Sequence, residues 1–349
     1  MNTTPLISII IPVYNCAASL PRCLDSLLRQ TFSDFEIIAL DDSSVDSSLH
    51  ILQKYAAADK RVRVISDGTN LGPGQRRNQG IGLAGGKYIM MVDADDWLEA
   101  DACARLVEKS RQDSYDVICF NAWIDHKNES TPVEYYHVRE EFCGTWSYVQ
   151  PYIFQTPFHS WHWFYRRDFL QKFQLEYPSY HIFEDEPFIL GVLLNAEKIL
   201  FCPQKFYHYV QNEESLVNKV SEKFMCIFDV FADIDRILAK AGQSEYFAPQ
   251  VKKWKQNHLQ FCSCLLSPGK RSEFLQKIKE SCPFVSERRL FRLWKISFCK
   301  IPLLSAYQPQ AGYFRYRLLG LPIASIRIRR NRIKFYVLGL PLLKITKTV

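Results

Sequence analysis

The chain has 349 residues, 47% of them hydrophobic and 23% charged, with no low-complexity tract, so it can bury a core in about two structural units and is neither disordered nor fibrous. Its net charge of +7 is uneven: residues 288–349 hold 14 Lys and Arg and no acid, which leaves the first 287 residues with 30 bases against 37 acids, a net −7. An acidic body with a basic tail points to an anionic partner surface, and bases interleaved with Leu, Ile, Phe, Tyr and Trp suit a membrane face better than nucleic acid, which is not an expected partner.

Leu6 to Val13 (LISIIIPV) is a β-branched apolar run, the pattern of a buried strand, and Ser19 opens an amphipathic stretch through Leu28. Glu36 to Leu40 (EIIAL) repeats the buried-strand pattern, ends in Asp41-Asp42-Ser43-Ser44 and leads into a helix over about Ser47 to Ala57. Arg61 to Ser66 is a third, more alternating strand, and beyond the Gly/Pro-rich segment Asp67 to Gly74 a short helix leads to the strand Tyr88 to Val92. Strands alternating with helices predict an α/β chain with a doubly wound, mostly parallel, Rossmann-like sheet. In such sheets the ligand sits beyond the carboxyl ends of the strands, where these loops converge.

Further on, Asp95 or Asp96 is expected to cap a helix running through Leu106 to Lys109, and Asp116 to Asn121 to form a strand. Asn128 to Gly144 has weak periodicity and reads as a mobile insertion. Phe183-Glu184-Asp185-Glu186-Pro187 introduces an apolar helix to Leu194 with proline in its first turn, and residues 216–300 read as mainly helical, with aromatic stripes. In the tail, Leu319-Gly320-Leu321-Pro322 and Leu338-Gly339-Leu340-Pro341 recur 19 residues apart between basic, strand-like segments, which predicts a hairpin rather than a helix. The first apolar run lacks a basic lead and stops at Pro12, no run reaches the roughly 18 residues of a membrane span, and the 11 cysteines show no CxxC pairing. Reduced thiols in a cytoplasm are expected.

Three carboxylates, Asp93, Asp95 and Asp96, follow the strand YIMMV directly and stand at the mouth of the sheet. Mg²⁺ typically takes one or two protein carboxylates and fills its shell with substrate phosphates and water, a demand that a DxD meets, whether or not one of these residues also caps the next helix. Asp42 offers an acceptor for the N–H or O–H groups of a base or ribose, although Asp and Ser also favour any strand-to-helix turn. Glu184-Asp185-Glu186 offers a general base, and acids there also suit the positive end of the following helix. His208, among tyrosines, reads either as a metal or phosphate contact or as a partly buried histidine with satisfied nitrogens. Gly80-x-Gly82-x-x-Gly85 matches the dinucleotide fingerprint in letters but precedes its strand, so it is not read as a pyrophosphate loop.

Taken in order, Pro12-Val13-Tyr14-Asn15, Asp41-Asp42-Ser43-Ser44, Gln75-Arg76-Arg77-Asn78-Gln79-Gly80 and Asp93-Ala94-Asp95-Asp96 resemble the signature of family 2 glycosyltransferases with the GT-A fold. The resemblance continues through Trp161 to Leu170, the pair Glu184-Asp185, and Tyr207 to Ser215, a segment that closes the site in many members, and so covers about residues 5–217. It implies a catalytic domain over 1–217, with a nucleotide-sugar half to about 97 and an acceptor half from 98, then a helical region over 218–300 and a basic apolar tail over 301–349. It also implies that Pro12 and Tyr14 line the nucleotide pocket, Asp42 meets the base, Arg77 helps hold the nucleotide, Asp93 meets the ribose or sugar, Asp95 holds Mn²⁺ or Mg²⁺, and Asp185 is the catalytic base of an inverting transfer. Asp96, Glu184, Trp161 and His208 join this set as further candidates. The sequence departs from the family at Ser43, where glycine is commoner, and at Gln211-Asn212, where many relatives carry a base.

The family resemblance implies a nucleotide-sugar donor with UDP as the carrier, and the tail is similar to extensions of bacterial enzymes that build lipopolysaccharide or capsule, which implies a glycan or lipid-linked acceptor and a peripheral position at the inner face of the cytoplasmic membrane. The rival readings are a nucleotidyltransferase that makes sugar nucleotides and an inactive membrane-associated adaptor. The former needs a Gly-rich basic loop after the first strand, which Pro12-Val13-Tyr14-Asn15 is not.

Overall fold

The computed structural model describes residues 4–126, 133–135, 138, 140–144, 150–211 and 221–285, together with the backbone of five strands between 304 and 346. Residues 128–132, 136–137 and 139 of the expected insertion, Asn212 to Ser215 of the closing segment, residues 286–300, and the Leu-Gly pairs 319–320 and 338–339 lie outside the described residues. The chain divides into two compact units, 1–270 and 271–349.

In the first unit, β1 (Ile7–Val13) runs parallel between β2 (Phe35–Asp41) and β4 (Tyr88–Met91), with Ile10 opposite both Ile38 and Met91, and β3 (Val62–Ser66) flanks β2. Every Ile and Val of β1 is fully buried, as a continuous β-branched run requires, and each such side chain contributes about 1.5–3 kcal/mol by leaving water. Between these strands come α1 (Leu20–Leu28), α2 (Ser48–Ala58) and α3 (Pro73–Leu83). Leu20, Cys23, Leu24 and Leu27 lie at helical spacing and join the core of Ile9, Ile11 and Ile37. α3 lies so close to β1 that a Cβ on Gly80 would stand 2.4 Å from Ile10 Cγ2. Gly80 therefore serves helix-on-strand contact, whereas Gly82 faces open space.

The next elements are β5 (Trp97–Leu98), α4 (Ala102–Ser110), β6 (Val117–His126), β7 (Val133–Tyr135), β8 (Phe142–Gly144), β9 (Trp163–Arg166), α5 (Arg167–Lys172), α6 (Asp185–Asn195) and β10 (Ile199–Gln211). The sheet order is β3-β2-β1-β4-β9-β6-β10-β5, with β7 beside β6 and β8 beside β10. The half β3-β2-β1-β4 is parallel, as is β6 with β10, whereas the short β9 runs antiparallel to both its neighbours. β9 is thus a seam between two half-sheets.

The helix expected to be capped by Asp95 or Asp96 starts later, at Ala102, with Asp101 before it. The correction has a physical cause: Trp97 and Leu98 pair with β10, and the Asp96 carboxylate is taken by that same strand. The expected helical region is split between the units, since α7 (Ile227–Lys240) and α8 (Ser244–Leu265) belong to the first and α9 (Arg271–Ser281) to the second. In the second unit β11 (Leu304–Gln310), β12 (Tyr313–Leu318), β13 (Leu321–Arg329), β14 (Arg332–Val337) and β15 (Leu340–Thr346) form an antiparallel meander in sequence order. The predicted hairpin is part of it. Each Leu-Pro of the repeated motif opens a strand, where a missing N–H costs the ladder least. No described helix is long and apolar enough to cross a membrane.

Candidate active site

The site is organised by four consecutive residues on α3. Gln75 Nε2 and Asn78 Nδ2 donate to the Tyr177 carbonyl at 3.0 and 2.8 Å, and the Tyr177 N–H donates back to Asn78 Oδ1 at 2.8 Å. Arg76 and Arg77 are neighbours on a helix and so project about 100° apart. Arg76, fully buried, reaches Asp42 Oδ1 at 2.9 Å and Asp67 Oδ1 at 2.7 Å, and also donates to the Thr69 carbonyl. Arg77 reaches Asp93 Oδ1 at 2.8 Å, Glu184 Oε1 at 2.7 Å and Asp185 Oδ1 at 3.2 Å. One buried guanidinium therefore joins the turn after β4 to the start of α6, segments about 90 residues apart in sequence.

Three carboxylates around one cation leave a negative excess. Burial and then Asp185 push Glu184 up to about 7, against the pull of Arg77. The segment carrying it is locally strained: Phe183 adopts φ 63°, a left-handed conformation that costs a bulky residue about 1–2 kcal/mol. Its ring packs edge-on to His258 at 5.6 Å and to Phe261 at 6.3 Å, both on α8, which holds the strained peptide in place. Asp185 is further held by Ser160, whose Oγ donates to Oδ1 at 2.6 Å.

In the acidic turn the three aspartates have different surroundings. Asp96 is fully buried, with Oδ2 accepting from the Tyr207 hydroxyl at 2.7 Å and Oδ1 from the Val210 N–H at 2.7 Å. It is an internal tie to β10 and out of reach of a ligand. Asp93 is partly exposed beside Arg77, and its N–H donates to the Tyr207 oxygen at 3.0 Å. Burial and then Asp93 push Asp95 up to about 6, against the pull of Arg22, whose Nη2 donates to the Asp95 carbonyl at 2.8 Å.

Asp42 is buried and accepts from the Leu71 and Gly72 N–H groups at 2.7 and 3.0 Å as well as from Arg76, so it fixes the loop after β3. Tyr14 is 45% exposed at the end of β1, beside the partly buried Pro12. Ser43 takes φ 64°, a left-handed conformation that favours glycine. Trp161 is buried in a stack with Tyr207 at 4.4 Å and His159 at 5.4 Å. His208 has Nδ1 at 3.0 Å from Asp125 and Nε2 at 2.9 Å from Glu99 and lies flat on Trp97, so both nitrogens are satisfied inside the protein.

Arg77, Asp93, Glu184 and Asp185 thus meet directly, and Asp95 lies two residues from Asp93 on the same turn. Sequence reasoning missed Arg76, Ser160, Tyr177, Phe183 and Arg22. For Arg76 a signal existed, since two adjacent arginines on a helix, projecting in different directions, invite two sets of acidic partners; isolated Ser160 carried none.

A mixed sheet with this crossover and an acidic turn at its carboxyl edge defines a GT-A type transferase fold. The family model for glycosyl transferase family 2 matches residues 8–182, half of the chain, and the chain belongs to that family. It is 34% identical over 222 residues to the uncharacterized glycosyltransferase EpsJ of Bacillus subtilis, covering 61% of this chain and 63% of that protein. It is also 30% identical over 236 residues to the putative glycosyltransferase EpsH of the same organism, covering 63% and 65%. The aligned part thus spans just under two thirds of the length of either relative. Among solved structures, S. aureus TarS 1-349 in complex with UDP-GlcNAc superposes with a TM-score of 0.59 at 19% identity, covering 90% of this chain and 97% of that one. At that identity the likeness speaks for the fold.

Proposed function

We propose that this chain is an inverting glycosyltransferase that moves a sugar from a UDP-sugar to a hydroxyl of a glycan or lipid-linked glycan in cell-surface polysaccharide synthesis. The observation that carries the reading is Arg77, which ties Asp93 of the donor-side turn to Glu184-Asp185 of the acceptor half through three contacts of 2.7 to 3.2 Å. Membership of the family and the UDP-GlcNAc bound to a protein of the same fold support the choice of donor. The catalytic domain is assigned to 1–217, the helical region to 218–300 and the tail to 301–349.

Asp185 takes the proton of the acceptor hydroxyl, whose oxygen forms a bond to the anomeric carbon as the carbon–oxygen bond to the diphosphate breaks, with inversion. Base assistance of this kind is worth about 10²- to 10⁴-fold. Pro12 and the exposed ring of Tyr14 wall the base pocket, Asp42 shapes it by holding the 67–72 loop, and Asp93 meets the ribose or sugar. Trp161 backs the acceptor side. The donor set fits a hard divalent ion: Asp95, with Asp93 beside it, would supply the one or two carboxylates that Mn²⁺ or Mg²⁺ accepts. Such an ion, when bound, offsets the charge that grows on the departing diphosphate.

The tail would bring the enzyme to an anionic membrane surface. Register rows support this: Tyr313, Arg327, Lys334 and Lys344 form one row across the meander, and Phe314, Ile326, Phe335 and Leu343 the next, so mainly basic and apolar rows alternate along its strands. Each base near an anionic bilayer contributes about 1 kcal/mol, less in high salt. Flotation with anionic vesicles should require residues 301–349; equal flotation without them removes the membrane assignment.

The activity test is a thermal-shift panel of UDP- and GDP-sugars with Mn²⁺, followed by transfer assays of wild type and Asp185→Asn with the sugar nucleotide selected. The variant should lose transfer and keep donor binding. Full transfer by Asp185→Asn would refute the assignment of the base.

A further inference from the structure

Segment 157–163 carries a hydrogen-bond chain that ends on Asp185 and that the reaction outlined above does not use. Ser160 is fully buried. Its carbonyl accepts from the Tyr165 hydroxyl at 2.8 Å, and its Oγ accepts from the Tyr177 hydroxyl at 2.7 Å. With the Tyr177 proton directed at it, Ser160 Oγ has its own proton to give, and it gives it to Asp185 Oδ1 at 2.6 Å. Tyr177 is itself fixed, stacked on Phe188 at 3.8 Å, with its backbone clasped by Asn78. The two Asp185 oxygens are therefore unequal. Oδ1 receives Ser160 Oγ and Arg77 Nη1, whereas among the described residues Oδ2 has only a long 3.4 Å contact to the Ser160 N–H.

We propose that Ser160, held by Tyr177, is the positioning residue for Asp185: it fixes Oδ1 so that Oδ2 is the oxygen that receives the acceptor proton. The inference rests on the assignment of Asp185 as base. A charge-assisted hydrogen bond of this length constrains the carboxylate in rotation as well as in place. The charged and titratable groups facing Asp185 are Arg77 from α3, Glu184 on its own element, Tyr177 from the preceding loop and Tyr165 from β9. Of these only Arg77 also donates to the carboxylate. Removing Ser160 Oγ thus halves the donors on Oδ1.

The test compares wild type, Ser160→Ala, Tyr177→Phe and Asp185→Asn, using the sugar nucleotide that the panel above selects and reading kcat, donor KM and the acid limb of kcat against pH. Loss of a supporting partner of this kind typically costs about 10- to 100-fold, so Ser160→Ala should lower kcat by that much with donor KM unchanged. The acid limb should move to higher pH, because protonation of the carboxylate becomes easier without its donor. Tyr177→Phe, which leaves the Ser160 contact in place, should move both quantities in the same direction by a smaller amount. A purely structural role for Ser160 lowers activity without moving the acid limb. An unmoved limb in both variants, or a loss that appears in donor KM alone, overturns the proposal. Asp185→Asn separates the two failures: if it transfers normally, the base assignment itself is wrong, and if it is inactive while Ser160→Ala behaves as wild type, only the positioning role is lost.

Discussion

Replacing Arg77 by methionine keeps most of the apolar stem and removes the charge that three carboxylates share. The side chain is 5% exposed, and its partners Glu184, Asp185 and Asp93 are 9%, 19% and 29% exposed, so the two aspartates regain some water and Glu184 gains almost none. Breaking a buried ion pair from one side costs about 3–5 kcal/mol, and partial rehydration of two partners puts the expected loss near the low end, about 3 kcal/mol. For a unit of this size that is a drop in Tm of about 6–12 °C. The penalty has a pH signature. Glu184, already pushed up to about 7 in wild type, loses the opposing pull of Arg77 in the variant, so the folded state holds a proton that the unfolded chain has released and stability rises as pH falls from 8 toward 5.5. Differential scanning fluorimetry of both proteins at pH 8 and 5.5 tests this. A variant melting within about 2–4 °C of wild type at both values, the shift worth about 1 kcal/mol, would refute the idea that this guanidinium holds the two halves together.

Two further effects follow from single side chains. Burial alone would hold His258 down, but Glu186 Oε1 at 2.8 Å and the Trp254 carbonyl at 3.0 Å raise it above the ordinary imidazole value. Its contribution is therefore complete below about pH 6.5 and is lost as pH rises through the raised folded value, so the urea midpoint of His258→Gln should lie further below wild type at pH 5.5 than at pH 8.5. A gap independent of pH counts against the pair. Ser43 at φ 64° should gain from glycine: relief of roughly 1–2 kcal/mol of left-handed strain exceeds the roughly 0.4–1 kcal/mol of added freedom in the unfolded chain, and a lower Tm for Ser43→Gly would contradict this.

The N-terminal strands were legible because β1, β2 and β4 are buried on both faces and therefore read as unbroken apolar runs. β10 was not, since Pro203, Gln204 and Lys205 interrupt its apolar pattern where the register with β6 shifts. The start of α4 was misplaced because Asp96, a good capping residue by type, is taken by Tyr207 and Val210, partners more than 110 residues away. Local propensity cannot see a competitor at that distance. The site shows the same division: Asp93, Arg77 and Asp185 lie in motifs, whereas Ser160 matters only through the Tyr177 hydroxyl that folding brings to it.

The clasp between α3 and residues 177–185 also sets where this protein can be recombined with its relatives. A crossover that takes the first 97 residues from one parent and the remainder from another divides Gln75, Arg77 and Asn78 from the backbone and carboxylates they were matched to. Hybrids meant to pair a new acceptor preference with an old donor preference should inherit the 75–78 tetrapeptide together with the 177–185 segment from one parent.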